Sequence, residues 1–120
     1  LATSRKSAND LLAATAKGLK ASADGGKSWQ PVTVGPAGKP ASMVARDGRN
    51  KAWTFIVSAG LFTQTKGGKW VKRAPAGQFD GALIQLTGHK SATGQLVALT
   101  QYMKLLKSRD GGRTWAPFGK

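Results

Sequence analysis

An eight-residue motif occurs twice in the chain, and a shorter third copy lies between the two. Residues 22–29 read SADGGKSW, residues 108–115 read SRDGGRTW, and residues 64–70 read QTKGGKW. The tryptophan that ends each copy recurs at intervals of 41 and 45 residues. A period of this length is about one four-stranded blade of a β-propeller. The repeat therefore predicts the architecture before any single residue is considered.

Each copy has the composition of a tight hairpin turn. Two consecutive glycines allow positive φ angles without a Cβ penalty, and an aspartate before them can accept hydrogen bonds from nearby backbone N–H groups. The tryptophan can then begin the outgoing strand and pack under the turn. We assign turn-building roles to Ser22, Asp24, Gly26, Trp29, Gly68, Trp70, Ser108, Asp110, Gly112 and Trp115.

The motif resembles the Asp-box, or bacterial-neuraminidase (BNR) repeat, with the pattern Ser-x-Asp-x-Gly-x-Thr-Trp. The first and third copies match well, with Ser28 replacing threonine in the first, whereas the middle copy departs at Gln64, at Lys66 and in length. Similar repeats occur in the propellers of sialidases, of sortilin-type receptors and of the photosystem II assembly and stability factor. The resemblance implies a fold more than a function, because in these families the boxes lie away from active sites.

The apolar segments are short and are bounded by Gly, Pro, Asn and Lys, which is typical of strands. Aligning the repeats predicts an all-β fold of about three blades, each of four antiparallel strands. We expect blades at 1–34, 35–75 and 76–120 in one module, the first lacking the start of its first strand. The strands of the second and third blades are expected at 41–46, 52–58, 60–65 and 69–72, and at 81–88, 95–101, 104–108 and 114–118.

Three blades leave the ring incomplete, because propellers close with typically four to eight blades and an open ring has unpaired edges. The sequence is compatible with a piece of a longer propeller and with a ring completed by another chain. A two-fold homodimer would hold six blades. The first residue, Leu1, favours processing or truncation, and no segment has the long apolar region of a signal peptide.

The charge of the chain is strongly one-sided, with 19 Lys and Arg against 5 Asp and no Glu, a net charge of +14. Such a field favours an acidic partner or surface, although turn lysines that serve only solubility are the alternative. In a four-stranded blade, the turns between strands one and two and between strands three and four share one face of the ring. This basic face is expected to contain Arg5, Lys6, Lys27, Arg49, Lys51, Lys66, Lys69, Lys90, Arg109 and Arg113.

The residues for catalysis or metal binding are scarce. A sialidase-like site needs a tyrosine nucleophile beside a glutamate and an acid/base carboxylate, but the chain has no Glu and Tyr102 has no evident partner. There is no cysteine and His89 is the single histidine, so no metal or cofactor site is expected. Nucleic acid is an unlikely partner, because the tryptophans occupy structural positions.

The sequence thus predicts a non-catalytic scaffold or assembly subunit that docks on an acidic protein, an anionic membrane or another polyanion through the basic face. The alternative is a fragment of a sialidase-like glycan-binding or glycan-processing protein. A second contact site is expected at Tyr102 and Met103, where a turn on the other face is longer than its counterparts, although drift would also explain it. The family resemblance favours a secreted, periplasmic or lumenal location and makes a photosynthetic complex one candidate partner.

Overall fold

The computed structural model describes residues 2–3, 9–35, 38–47, 50–79, 81–88 and 95–117. Strands and turns make up nearly all of this part of the chain, with one 3-10 turn at Ala76–Gln78. The strands are β1 (Ala2–Thr3), β2 (Leu11–Thr15), β3 (Gly18–Ser22), β4 (Gln30–Val32), β5 (Ala41–Arg46), β6 (Ala52–Ile56), β7 (Gly60–Gln64), β8 (Trp70–Pro75), β9 (Leu83–Gly88), β10 (Leu96–Thr100), β11 (Leu105–Ser108) and β12 (Ala116–Pro117).

The strands form three antiparallel sheets of four, and within each sheet the spatial order follows the chain order. The first sheet contains β1 to β4, the second β5 to β8 and the third β9 to β12. Strand β5 contacts both β2 and β9, so the second sheet lies between the other two. The predicted all-β class and the four-stranded antiparallel sheets are confirmed.

Two apolar layers join the sheets. The first and second sheets bury Leu12, Leu19, Ile56 and Phe62 between them. The second and third bury Trp53, Phe55, Leu61, Leu83, Leu86 and Leu96. Aromatic and β-branched side chains suit a strand that is covered on both faces, and every residue of β6 is buried. The second sheet is therefore the centre of the packing.

The strand bounds differ from the expected ones at several ends. Strand β6 ends at Ile56 and not at Ser58, because the Ala59 N–H donates to the Ile56 carbonyl in a turn where Ser58 has a φ of 67°. The last strand of the third sheet begins at Ala116, because Thr114 is engaged in the preceding turn. The 3-10 turn at Ala76–Gln78 has no counterpart in the prediction.

Candidate functional site

The turn after β3 is closed by hydrogen bonds to one serine and one aspartate. The Ser22 hydroxyl donates to Asp24 Oδ1 at 2.8 Å and accepts from the Gly26 N–H at 2.9 Å. The Ser28 N–H donates to Asp24 Oδ1 at 2.9 Å and its hydroxyl to Oδ2 at 2.6 Å. The indole N–H of Trp29 donates to the Gly26 carbonyl at 3.1 Å. The aspartate is thus satisfied by groups of its own turn.

The turn after β11 repeats these contacts. The Ser108 hydroxyl donates to Asp110 Oδ1 at 2.8 Å, and the Gly112 N–H donates to that hydroxyl at 2.9 Å. The Thr114 N–H donates to Asp110 Oδ1 at 2.9 Å, and the Trp115 indole donates to the Gly112 carbonyl at 2.8 Å. The middle turn has no carboxylate, and there the Gln64 amide donates to the Gly68 carbonyl at 3.2 Å. The two full motifs, which are similar in sequence, therefore form the same pattern of hydrogen bonds.

Hydrogen bonding lowers the pKa of both aspartates. Donation from the Ser28 hydroxyl and N–H, and then from Ser22, lowers the pKa of Asp24 from 3.8 to about 2. Donation from Thr114 and Ser108 does the same to the pKa of Asp110. Because the folded pKa lies below the unfolded one, the unfolded chain takes up these protons first, and this contribution to stability is lost as the pH falls.

We expect the Tm of the protein to fall between pH 4 and pH 2, the window between the unfolded and folded values of these two groups. The double variant Asp24→Asn, Asp110→Asn is expected to start with a lower Tm at pH 7 and to lose less of it across that window. Circular dichroism melts at a series of pH values measure both effects. An equally steep fall in the variant would show that other groups control the acid response.

A basic cleft of about 970 Å³ lies between the second and third sheets. The turn after β5, the turn after β7 and the last turn of the third sheet all contribute to its lining. A Cβ placed on Gly112 would lie 3.0 Å from the Trp53 ring and 3.2 Å from Arg73 Cγ, so the third sheet's turn rests directly on the second sheet. The cationic residues that line the cleft are Arg46, Lys51, Lys66, Arg73 and Arg113, and Asp47 is the one carboxylate among the described residues that line it.

Two arginines of the cleft have buried nitrogens that lack partners among the described residues. These atoms are the Nε of Arg46 and the Nε of Arg73. The Nη1 of Arg46 does donate to the Asn50 carbonyl at 3.2 Å, which orients its guanidinium. Burial lowers the pKa of Arg46, and the negative charge of Asp10 opposes the shift. Buried donors of this kind are normally satisfied, so these two nitrogens are exceptions within the described part of the chain.

Lys51 stands beside a fixed aromatic ring at the cleft wall. Its Nζ lies 5.6 Å from the Trp53 ring centroid, and the Trp53 indole donates to Asp47 Oδ2 at 3.0 Å. The Lys51 N–H donates to Asp47 Oδ1 at 3.0 Å. Burial, and then the charge of Arg73, lowers the pKa of Lys51, the negative charge of Asp47 opposes the shift, and Arg113 adds a smaller lowering. A bound anion would offset the repulsion between Lys51 and these two arginines.

The expected basic residues divide into four groups. Lys51, Lys66 and Arg113 line the cleft, whereas Arg109 lines a separate cleft of about 500 Å³ on the third sheet. Lys27 and Lys69 are exposed in turns outside both clefts. Arg5, Lys6, Arg49 and Lys90 lie outside the described residues.

Sequence reasoning missed Arg46 and Arg73, because both lie in strands and not in turns. Leu61 pairs with Ala74 and Phe62 with Lys72, which leaves Arg73 as the extra residue of a β-bulge. A bulge bends its strand and redirects a side chain, and here Arg73 lines the cleft. Nothing in the sequence signals that bulge. Arg46 ends β5 next to a turn that the prediction counted as basic, so its position was a usable signal.

Comparison with known proteins identifies the fold. A solved structure described as YCF48 bound to D1 peptide matches with a TM-score of 0.73 and 16% identity, over 98% of this chain and 40% of that one. The fold is that of a β-propeller. YCF48 from Cyanidioschyzon merolae matches this propeller with a TM-score of 0.70 and 21% identity, over 96% of this chain and 34% of that one. No protein-family profile and no curated protein sequence matches.

The chain therefore spans well under half of the two propellers that it resembles. Each of its four-stranded sheets corresponds to one propeller blade, and the basic cleft lies between the second and third blades. The other predicted contact residues, Tyr102 and Met103, lie in the β10–β11 turn at the opposite ends of the strands, where they are 61% and 73% exposed. The structure thus does not bring them together with the basic cleft.

Within the described residues, no cluster of three or more potential metal ligands occurs among His, Cys, Asp and Glu side chains. In the same part of the chain, no helix has the length and apolar character needed to cross a membrane.

Proposed function

We propose that the protein is a non-catalytic binding module, and that the basic cleft holds an acidic segment of a partner protein. The observation that carries this proposal is the convergence of five cationic residues on one cleft, which has a single carboxylate among its described lining residues. A carboxylate can accept from a guanidinium nitrogen, and such charged hydrogen bonds are stronger than neutral ones. A peptide with several carboxylates would pair with these cations and reduce the repulsion around Lys51.

The shape and composition of the cleft also favour a protein segment over a small anion. The cleft has a volume of about 970 Å³, which is enough for several residues, and five of its lining residues are cationic. The similar solved propeller that carries a bound D1 peptide offers a precedent for peptide binding by this fold. An accessory or assembly subunit of a larger complex is the role that fits such a module, with a photosynthetic complex as one candidate and a lumenal, periplasmic or secreted location.

The test is the binding of a fluorescein-labelled peptide rich in Asp and Glu, followed by fluorescence anisotropy. The double variant Arg46→Gln, Arg73→Gln is expected to weaken binding by about 100-fold, because each charged hydrogen bond contributes about 1.5 kcal/mol or more. The matched control is Lys27→Gln, Lys69→Gln, which removes the same charge from exposed turns outside the cleft. This control is expected to change the affinity less than about threefold, as exposed charges contribute little.

Equal losses in the two double variants would mean that only the overall positive charge attracts the peptide, and would contradict a defined site. Because Arg46 and Arg73 are half-buried, Arg113→Gln provides a second variant at an exposed position of the cleft wall. It is expected to weaken binding at an unchanged Tm. A peptide with Asn and Gln in place of Asp and Glu is expected not to bind.

The absence of catalysis is part of the proposal and has its own test. The Asp24 and Asp110 carboxylates are held inside their turns, and Asp47 accepts from Lys51 and Trp53. We expect no turnover of a fluorogenic sialoside by the protein. Measurable turnover that persists through purification would contradict the proposal and favour the sialidase-like alternative.

A further inference from the structure

A glutamine in the connection between the second and third blades bonds to the last turn of the third blade. The Gln78 Nε2 donates to the Arg113 carbonyl at 2.6 Å, and the Gln78 Oε1 accepts from the Trp115 N–H at 3.3 Å. Because the amide nitrogen donates and the amide oxygen accepts, this orientation of the side chain satisfies both partners. One side chain thus holds the backbone on both sides of Thr114.

The residue after Gln78 fixes the position of this amide. Phe79 is 7% exposed, and its ring centroid lies 5.5 Å from that of Phe55 and 5.7 Å from that of Trp115. The Phe79 N–H donates to the Ala76 carbonyl at 3.1 Å, which closes the 3-10 turn. Since the backbone beside Gln78 is anchored in the core, ordering its side chain is the main entropic cost that the two hydrogen bonds must offset.

The backbone that Gln78 holds carries a cation of the basic cleft. Arg113 lines the cleft, whereas Gln78 is absent from its described lining residues. The Arg113 Nη1 donates to the Asp110 carbonyl at 3.1 Å, so the guanidinium and the main-chain carbonyl of Arg113 both have hydrogen-bond partners. A side chain held in this way loses less freedom when a ligand binds, and such preorganisation improves affinity.

The Gln78 contact is not what builds the turn. The first motif forms the same turn through hydrogen bonds among its own residues. Lys27 has the position of Arg113 in that motif, and it lies outside both clefts. In the third blade, Gln78 therefore adds a fixed placement of the turn relative to the connection that leaves the second blade.

We infer that Gln78 is a positioning residue of the basic cleft, and that it holds Arg113 at the cleft wall before a ligand arrives. This role rests on the proposed function for what the cleft binds, but the hold on Arg113 can be measured without a ligand. The test variant is Gln78→Met. It removes both hydrogen bonds, keeps a side chain of similar length and leaves the charge of the cleft unchanged.

Limited digestion with trypsin, followed by mass spectrometry, measures the hold on Arg113. Cleavage within a folded protein requires local opening of the backbone. In Gln78→Met, cleavage after Arg113 is expected to be at least about fivefold faster than in the wild type, the effect of losing one net hydrogen bond. Cleavage after Lys27, at the same position of the first motif, is expected to stay unchanged.

Gln101→Met is the matched control for this digestion. The Gln101 Oε1 accepts from the Ala82 N–H at 2.7 Å, and Gln101 is an exposed residue outside the cleft. Its replacement should leave cleavage after Arg113 unchanged. An unchanged rate at Arg113 in Gln78→Met would overturn the inference. An equal rise at Arg113 and Lys27 would also overturn it, because it would mean a general loss of stability.

Binding of the labelled acidic peptide separates positioning from structural support. Gln78→Met is expected to weaken binding by about three- to tenfold, the cost of ordering one long side chain. In an Arg113→Gln background, the same change is expected to weaken binding by less than about 1.5-fold, because residues that act through one another are not additive. Equal losses in the two backgrounds would contradict a role that acts through Arg113.

The two experiments distinguish failure of this role from failure of the proposed function. If the wild-type protein bound no acidic peptide, the proposed function would fail, and the digestion would still decide whether Gln78 holds Arg113. If the wild type bound the peptide and Arg113→Gln weakened binding while Gln78→Met did not, the proposed function would stand and the positioning role would be wrong.

Discussion

The Gly60→Ala variant is expected to lose about 3 to 5 kcal/mol of unfolding free energy, because backbone strain and steric overlap add at this position. Gly60 begins β7 with a φ of 137°, which L side chains rarely adopt. A Cβ there would lie 2.3 Å from the Ala74 carbonyl oxygen and 3.1 Å from the Ala76 nitrogen, both backbone atoms. Neither can move without displacing β8. Urea unfolding followed by tryptophan fluorescence measures the loss.

Substitutions at two other glycines serve as controls that separate backbone strain from steric overlap. Gly38 has a φ of 80° but no atom within 4 Å of an added Cβ, so Gly38→Ala is expected to cost about 1 kcal/mol from strain alone. A Cβ added at Gly67 would have no neighbour within 4 Å either, and the φ of Gly67 lies outside the positive range that L residues avoid. Gly67→Ala should be close to neutral. A Gly60→Ala variant no less stable than Gly38→Ala would show that the β7–β8 contact is not as close as the structure has it.

The Phe55→Ala variant is expected to lose about 3 to 5 kcal/mol, the usual cost of removing a buried phenylalanine side chain. Phe55 is 2% exposed in the layer between the second and third blades. Its ring meets Phe79 edge to face, with centroids 5.5 Å apart and an interplanar angle of 86°. The truncation removes this contact and leaves a cavity that the surrounding strands cannot close. Urea unfolding at a protein concentration too low for association measures the loss.

Val71→Ala is the control for that truncation, since Val71 is 36% exposed on the outermost strand of the same blade. Its expected cost is below about 1 kcal/mol, because little apolar surface is lost from the core. Phe55→Leu, which keeps most of the buried volume, should fall between the two. If Phe55→Ala and Val71→Ala cost the same, the layer between the second and third blades would not be a main source of stability.

Much of the fold could be predicted from the sequence, because a repeat reports architecture more reliably than single residues do. The spacing of the motifs predicted four strands for each repeat, and each sheet contains four strands. The short apolar runs also marked the central strands, since Ala52–Ile56 and Leu96–Thr100 each lie within an expected strand. Strand ends were less predictable, because turns such as the one around Ser58 depend on local hydrogen bonds.

The candidate site was harder to predict, because some of its cationic residues lie in turns and others lie in strands. Lys51, Lys66 and Arg113 lie in turns, and the strand order is enough to place them at one end of the blades. Arg73 reaches the cleft only through a bulge, which depends on how β8 pairs with β7. The two Nε atoms that have no partner in the described part of the chain are a property of tertiary burial and have no sequence signal. Basic character was therefore predictable, whereas the cleft itself was not.

The consecutive strand order within every sheet makes folding of this chain a local process. Each strand pairs with the strand next to it in the chain, so every hairpin closes a short loop of low entropic cost. The two apolar layers, together with hydrogen bonds such as the one from the Ser42 hydroxyl to the Leu83 carbonyl, join residues of different sheets. A blade can therefore form its own backbone hydrogen bonds before its neighbours arrive, and structure can spread from one repeat to the next. The second blade, packed on both sides, is the natural place for that spreading to start.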